Sequence, residues 1–191
     1  MLKPFVALFV ISGLAAPALA MDSPFYVGGQ VSATKLKETD SSESISFDFT
    51  TLSVLAGYQF NPYVAAEVRF GTGVKGERYR EPGYLEELTV DQQSMLLLKA
   101  GVPLSNSLSL YGLAGYGASK FKYEVQDEGF RFTDSETLDG FAWGVGAGLK
   151  FTPRLTATLE YLQLPQERFR DGSDSYKLKA NNLSLGLNYQ F

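Results

Sequence analysis

The sequence predicts an all-β chain: an eight-stranded antiparallel transmembrane β-barrel with short turns at one end and long loops at the other. Three observations carry this prediction. Leu183, Leu185, Leu187, Tyr189 and Phe191 alternate with Asn182, Ser184, Gly186, Asn188 and Gln190, and because strand side chains alternate with a period of two, this segment has one oily face and one wet face. Mean hydropathy is close to zero, at −0.08. The longest uncharged stretch after residue 20, Ala100 to Ser119, holds Pro103, Asn106 and four glycines, so no membrane-spanning helix is expected. A barrel strand shows lipid only one residue in two, which hides the span from any average. Finally, the links between alternating segments are by turns short and long, the layout of a transmembrane barrel.

The elements follow in chain order. Lys3 is a one-charge basic region, Phe5 to Leu14 is uncharged and mostly apolar, and Ala18-Leu19-Ala20 has the small-x-small form of a cleavage site. Residues 1–20 are therefore expected to be a cleaved signal peptide, too short in its apolar run for an anchor helix, with the mature chain starting at Met21. The remaining stretch, 21–191, reads as one domain without a linker. It has no Cys, so backbone pairing and packing must supply its stability.

Strand one is expected from Phe25 to Leu36 and strand two from Phe47 to Phe60, where Leu52, Val54, Ala56, Tyr58 and Phe60 oppose Thr51, Ser53, Gly57 and Gln59. Asn61-Pro62 then turns the chain into strand three, Tyr63 to Val74. Strand four covers Leu88 to Val102 and strand five Leu108 to Lys122, with Pro103 to Asn106 between them. Strand six, Phe132 to Phe151, sets Phe141, Trp143, Val145, Ala147, Leu149 and Phe151 against Ala142, Gly144, Gly146, Gly148 and Lys150. Thr152-Pro153-Arg154 leads into strand seven, Leu155 to Leu164, and strand eight runs from Tyr176 to Phe191. Pro fixes φ and Asn tolerates turn geometry, which suits these three short links. Short turns lie in the periplasm in such barrels, so both termini are expected there. Closure is physically required, because an open sheet edge in hydrocarbon leaves backbone groups unsatisfied at several kcal/mol each.

Several motifs recur in order along the chain: Gly57-Tyr58-Gln59-Phe60-Asn61-Pro62-Tyr63-Val64-x-x-Glu67, Lys99-Ala100-Gly101-Val102-Pro103, Gly148-Leu149-Lys150-Phe151-Thr152-Pro153, Leu159-Glu160-Tyr161 and Leu183-Ser184-Leu185-Gly186-Leu187-x-Tyr189-x-Phe191. Together they resemble the OmpA-type eight-stranded transmembrane domain. The chain stops at Phe191, where OmpA continues into a periplasmic peptidoglycan-binding domain, so the plan is closer to the small stand-alone OmpX-like and Opa-like surface barrels, and no cell-wall tether is expected. The resemblance implies the outer membrane of a Gram-negative cell. It also implies that Ser184, Gly186, Tyr189 and Phe191 form the terminal signal read by the barrel-assembly machinery.

Alternation points Glu67, Arg69, Lys99, Lys150 and Glu160 into the lumen. An eight-stranded barrel has room there only for side chains, so these charges are expected to pair as a structural network. In the OmpA-type barrel the glutamate matching Glu67 is proposed to switch partners and gate a path. Here the matching partner positions hold Thr158, Leu113 and Lys150, and that gate does not transfer. Enzymatic activity is not expected: small outer-membrane barrel enzymes lean on a His base, and the chain has no His. Without Cys or His only oxygen ligands remain for a metal, with no EF-hand-like spacing, so no cofactor or metal is expected.

The long links carry the remaining information. Phe121 to Val125 and Phe130 to Thr133 flank Gln126-Asp127-Glu128-Gly129, and Arg78-Tyr79-Arg80 with Tyr84, like Phe169-Arg170 with Tyr176-Lys177, repeats the hairpin form. Stiff β-ribbons are expected there, whereas Lys37 to Ser46, rich in Ser and Glu, is expected to be a more mobile link. Tyr79, Tyr84, Tyr123, Phe130, Phe132, Phe169 and Tyr176 are the candidate contacts for an extracellular protein or host-surface partner; the competing assignment is anchoring at the lipid and lipopolysaccharide interface. No nucleic-acid partner is expected, and the barrel is expected to be a monomer. The functional expectation is a non-enzymatic structural or surface-interaction protein, with a narrow channel for ions or small solutes as the second reading.

Overall fold

A computed structural model describes residues 23–39, 44–81, 84–127, 130–171 and 174–191, with side chains described for all of these except 38–39, 44–45, 77–81, 127, 167–171 and 174–177. The expected signal peptide, 1–20, lies outside the described residues. The strands are β1 (Phe25–Thr39), β2 (Ser44–Asn61), β3 (Val64–Lys75), β4 (Glu77–Glu81), β5 (Tyr84–Pro103), β6 (Leu108–Asp127), β7 (Phe130–Thr152), β8 (Leu155–Asp171) and β9 (Asp174–Gln190). All neighbours run antiparallel, in the order β3-β2-β1-β9-β8-β7-β6-β5-β4, and a β3–β5 pairing closes the ring. The barrel thus has eight walls. Its third wall is split into β3 and β4 at Gly76, where a Cβ would sit 2.3 Å from the Leu88 carbonyl oxygen, so only glycine allows the chain so close to β5.

The alternation places each face as the sequence predicts. Val54, Val145 and Leu185 are about 60 % exposed on the outside, as a lipid-facing surface must be, while Ser32, Thr51, Glu67 and Ser184 are buried in the lumen. Asn61 Oδ1 accepts the Tyr63 and Val64 amides, and Thr152 Oγ1 accepts those of Arg154 and Leu155, which fixes two of the short turns.

The strands are longer than the sequence predicts at the opposite end. About 9–11 residues cross a bilayer, yet β7 has 23 and β5 and β6 have 20 each. The expected hairpins form, with Glu81 opposite Tyr84, Asp127 opposite Phe130 and Phe169 opposite Tyr176. Of the segment expected as a mobile link, Lys37 to Thr39 and Ser44 to Ser46 belong to β1 and β2, which stay paired up to Thr39 opposite Ser44, and residues 40–43 lie outside the described residues.

Beyond the membrane band the ring divides into two sheets. The uppermost β7–β8 pair is Trp143 with Gln163, so Phe130 to Ala142 pairs only with β6, and the uppermost β2–β3 pair is Thr50 with Lys75. What remains is β4-β5-β6-β7 on one side and β8-β9-β1-β2 on the other. The seam has a local cause. β8 bulges between Gln163 and Gln166 around Pro165, which has no N–H to give a neighbour. Opposite it, Gly140 adopts φ 142°, a conformation strained for any side chain.

The lumen is filled. Leu97, Met95, Leu113, Ala142, Leu162 and Leu164 pack the β5–β8 wall, and Leu36, Phe49 and Leu178 carry the cluster across to β1, β2 and β9 toward the long-hairpin end. The Phe49 and Phe121 rings meet there at 5.9 Å. This apolar layer lies beside the charges expected in the lumen; Val90 enters it because a bulge between Val90 and Gln92 reverses the parity of β5.

Candidate functional site

Arg69 is the centre of the lumen cluster. Its Nε donates to Glu67 Oε2 at 2.9 Å, its Nη2 reaches both Glu67 Oε2 and Glu160 Oε1, and its Nη1 donates to Glu160 Oε2 at 2.5 Å and to Gln30 Oε1 at 3.3 Å. All three charged groups are almost wholly buried. Each carboxylate also accepts a tyrosine: Tyr26 Oη donates to Glu67 Oε1 at 2.6 Å and Tyr111 Oη to Glu160 Oε1 at 2.8 Å. Lys99 completes the set, with Nζ 3.4 Å from Glu67 Oε1 and 3.8 Å from the centre of the Tyr111 ring. Two acids thus meet two cations, and a charged group in a dry lumen is tolerated only when paired and hydrogen-bonded in this way.

Four of the five residues expected in this network therefore meet. Lys150 does not. It has the inward parity, but it pairs with Thr156, four residues along β8 from Glu160, a separation of roughly 13 Å at strand rise. It stands exposed at the short-turn mouth and forms no ion pair with a described residue. Gln30, Tyr26 and Tyr111 are further members, not among the expected five, although their inward parity is readable in the sequence. Above the cluster, Ser32 and Ser184 hydroxyls meet at 2.7 Å, Gln93 Nε2 donates to Ser119 Oγ, and Asn182 Nδ2 donates to Gln93 Oε1, both at 3.0 Å.

Of the four terminal residues singled out, Ser184 and Gly186 face inward, and a Cβ on Gly186 would meet Thr158 Oγ1 at 2.5 Å. Tyr189 and Phe191 face outward with their rings edge-on at 5.6 Å. Ser23 N donates to Phe191 O at 2.9 Å and Phe191 N to Phe25 O at 3.3 Å, tying the end of β9 to the segment that leads into β1.

The outer ribbons place the aromatic candidates differently from one another. Phe130 and Phe132 are exposed, at 67 % and 48 %. Tyr84 is half-buried and donates to Glu86 Oε2 at 3.0 Å. Tyr123 is also half-buried, and partial burial together with the neighbouring Glu86 carboxylate pushes its hydroxyl pKa up. The side chains of Tyr79, Phe169 and Tyr176 lie outside the described residues. Counting by twos along β7 from buried Leu138, Phe130 and Phe132 stand on the face that lower down lines the lumen. The opposite face is charged: Glu124 binds both Lys122 and Arg131, and the Lys122 hydrogen bond, with Arg131 beside it, holds the Glu124 carboxyl below its usual pKa. The aromatic face also carries Asp134 and Glu136, so both faces of the β6–β7 ribbon bear charge beyond the membrane.

Known proteins of the same shape are small outer-membrane barrels. Neisserial surface protein A superposes with a TM-score of 0.58 at 18% identity, over 90% of this chain and 99% of that one. Ail, the attachment invasion locus protein of Yersinia pestis, solved with the heparin analogue sucrose octasulfate, gives 0.57 at 15% identity over 90% and 100%. OprG from Pseudomonas aeruginosa gives 0.53 at 12% over 89% and 97%. At these identities the likeness is one of fold. No curated protein matches the sequence significantly. The profile of the outer membrane protein beta-barrel domain matches residues 6–191, and the chain belongs to that family.

Proposed function

We propose that this outer-membrane barrel is a non-enzymatic surface-interaction protein that contacts an extracellular protein or host-surface partner through its outer ribbons, with both termini in the periplasm. The observation that carries the reading is the β6–β7 ribbon, which exposes Phe130 and Phe132 above the bilayer where neither lipid nor core requires them. The lumen offers little competing work, because the Arg69 cluster and the apolar layer occupy it. Among the described outer cations, Lys35, Lys120, Lys122 and Arg131 are each paired with a carboxylate. Membrane lipid, lipopolysaccharide at the rim and the barrel-assembly machinery are the envelope partners of this reading, which treats the barrel as a monomer.

The test shortens Lys122 to Thr133 to a tight turn. Cells expressing the shortened barrel should lose adhesion while the purified protein keeps its heat-resistant fold. Retained adhesion, together with stable conductance in planar bilayers that lumen substitutions abolish, would instead favour the narrow channel.

A further inference from the structure

We propose that the free edge of β7 above the bilayer binds an extended basic polypeptide segment as an added strand, an inference that deepens the surface-interaction reading and rests on it. Lys150 N donates to Ser107 O at 2.7 Å, one residue beyond the Leu108–Leu149 pair. Opposite residues in an antiparallel pair alternate between bonded and non-bonded, and the β6–β7 register runs from there to Asp127 opposite Phe130 without a shift. Even-numbered residues of β7 therefore bond β6, while the N–H and C=O groups of Arg131, Thr133, Ser135, Thr137 and Asp139 point the other way. Ser135 N accordingly donates to Asp134 Oδ1, at 2.8 Å. β8 does not answer this edge. Its ladder with β7 ends at Trp143 opposite Gln163; continued by two residues it would set Phe141 against Pro165, which has no N–H to give, and β8 bulges there.

A row of alternating backbone donors and acceptors is matched along its length only by another extended backbone. Every side chain from Arg131 to Thr137 is exposed, so the described chain leaves this edge open. Its residues select the occupant. Asp134 and Glu136 share a face with Phe130 and Phe132 and stand opposite Tyr123 and Phe121 of β6, which makes the face acidic toward β8 and apolar toward the tip. A second copy of the chain fits poorly: antiparallel registers centred on Asp134, Ser135 or Glu136 set acid opposite acid, and like charges across a strand pair are destabilising. A strand with basic residues opposite Asp134 and Glu136 and apolar ones opposite Phe130 and Phe132 gains at each pair. Thr133, Ser135 and Thr137 on the other face suit β-branched neighbours.

The experiment uses the full folded chain in phosphatidylcholine discs and a fluorescent, end-capped peptide, Lys-Thr-Lys-Thr-Ile-Thr-Ile. Antiparallel to β7, its lysines meet Glu136 and Asp134 and its isoleucines meet Phe132 and Phe130. The expected result is saturable binding, weakened roughly tenfold or more by Asp134→Lys/Glu136→Lys, with that variant instead taking the peptide in which Glu replaces Lys. Two forms of the peptide methylated on alternate amide nitrogens should differ: the form whose methyls point to β7 should fail, and the other should bind. Amide exchange should slow on binding at Thr133, Ser135 and Thr137 and stay unchanged at Phe132, Asp134 and Glu136. Ser135→Pro removes an edge donor but no bond to β6, so binding should be lost while the heat-resistant fold is kept. Equal binding of both methylated forms, protection missing from the odd-numbered residues, or unchanged binding by Ser135→Pro would each overturn strand addition. Adhesion lost on shortening Lys122 to Thr133, with no peptide bound by the intact barrel, would overturn this edge alone and leave the surface-interaction reading standing.

Discussion

Arg69 stands between two carboxylates that would otherwise repel each other across the lumen. Removing it alone strands Glu67 and Glu160 as buried charges, with Lys99 answering only the first. Arg69→Met should therefore cost about 3–5 kcal/mol, read as a shift of the urea midpoint in lipid vesicles at unchanged slope. Adding Glu160→Gln should recover a substantial part of the loss, and simple additivity of the two changes would show that they do not interact. Lys150→Gln, on an exposed side chain outside the cluster, should leave the midpoint within about 0.5 kcal/mol; a loss comparable with that of Arg69→Met would put Lys150 back in the network. This scale was only half legible in the sequence. Parity pointed Glu67, Arg69, Lys99 and Glu160 inward, but which of them meet depends on the stagger between strands, which parity does not carry. Tyr26 and Tyr111 share the inward parity, yet an inward tyrosine reads as ordinary filling until its hydroxyl is placed against an acid.

At the scale of the strand, alternation was the strongest signal and its interruptions the weakest. The membrane-spanning parts of β2, β7 and β9 follow the pattern closely, because lipid on one side and a packed lumen on the other ask for different residue types. The bulges at Val90/Gln92 and Gln163/Gln166 leave no such mark, since each adds a single residue to an otherwise regular ladder. The true strand ends were also hidden. Above the membrane, residues such as Thr133, Ser135 and Thr137 answer to water on exposed faces, so the oily stripe fades while the hydrogen-bonded ladder continues. This contrast sets a prediction within one strand. Val145→Arg, on the lipid face of β7, should cost about 2–4 kcal/mol, whereas Ser135→Arg, ten residues up the same strand, should cost less than about 0.5 kcal/mol. Equal penalties in a vesicle-based titration would mean that the membrane band has been placed wrongly on β7.

At the scale of the whole molecule, closure depends on β1 meeting β9, fourteen residue pairs from Tyr26 opposite Gln190 to Thr39 opposite Lys177. That the ring closes was legible, because an open edge in hydrocarbon is forbidden. That it opens again above the bilayer into two sheets was not, because the cause is a proline in one strand facing a glycine in the next. The closing seam also separates two roles for the last residue. Phe191 contributes two main-chain hydrogen bonds at the foot of the seam and one edge-on contact with Tyr189. Hydrogen bonds of this kind contribute about 1 kcal/mol each, a modest share of a ladder so long. Deleting Phe191 should therefore lower stability in detergent micelles by only about 1–3 kcal/mol and leave refolding yield largely intact. In cells the loss should be far greater if the terminal aromatic is what the assembly machinery reads, because insertion depends on recognition before any ladder exists. The two measurements are outer-membrane abundance and refolding yield of the same variant. A large drop in abundance with near-normal refolding supports a recognition role for Phe191, while parallel losses in both would reduce it to one more contact at the foot of the β1–β9 seam.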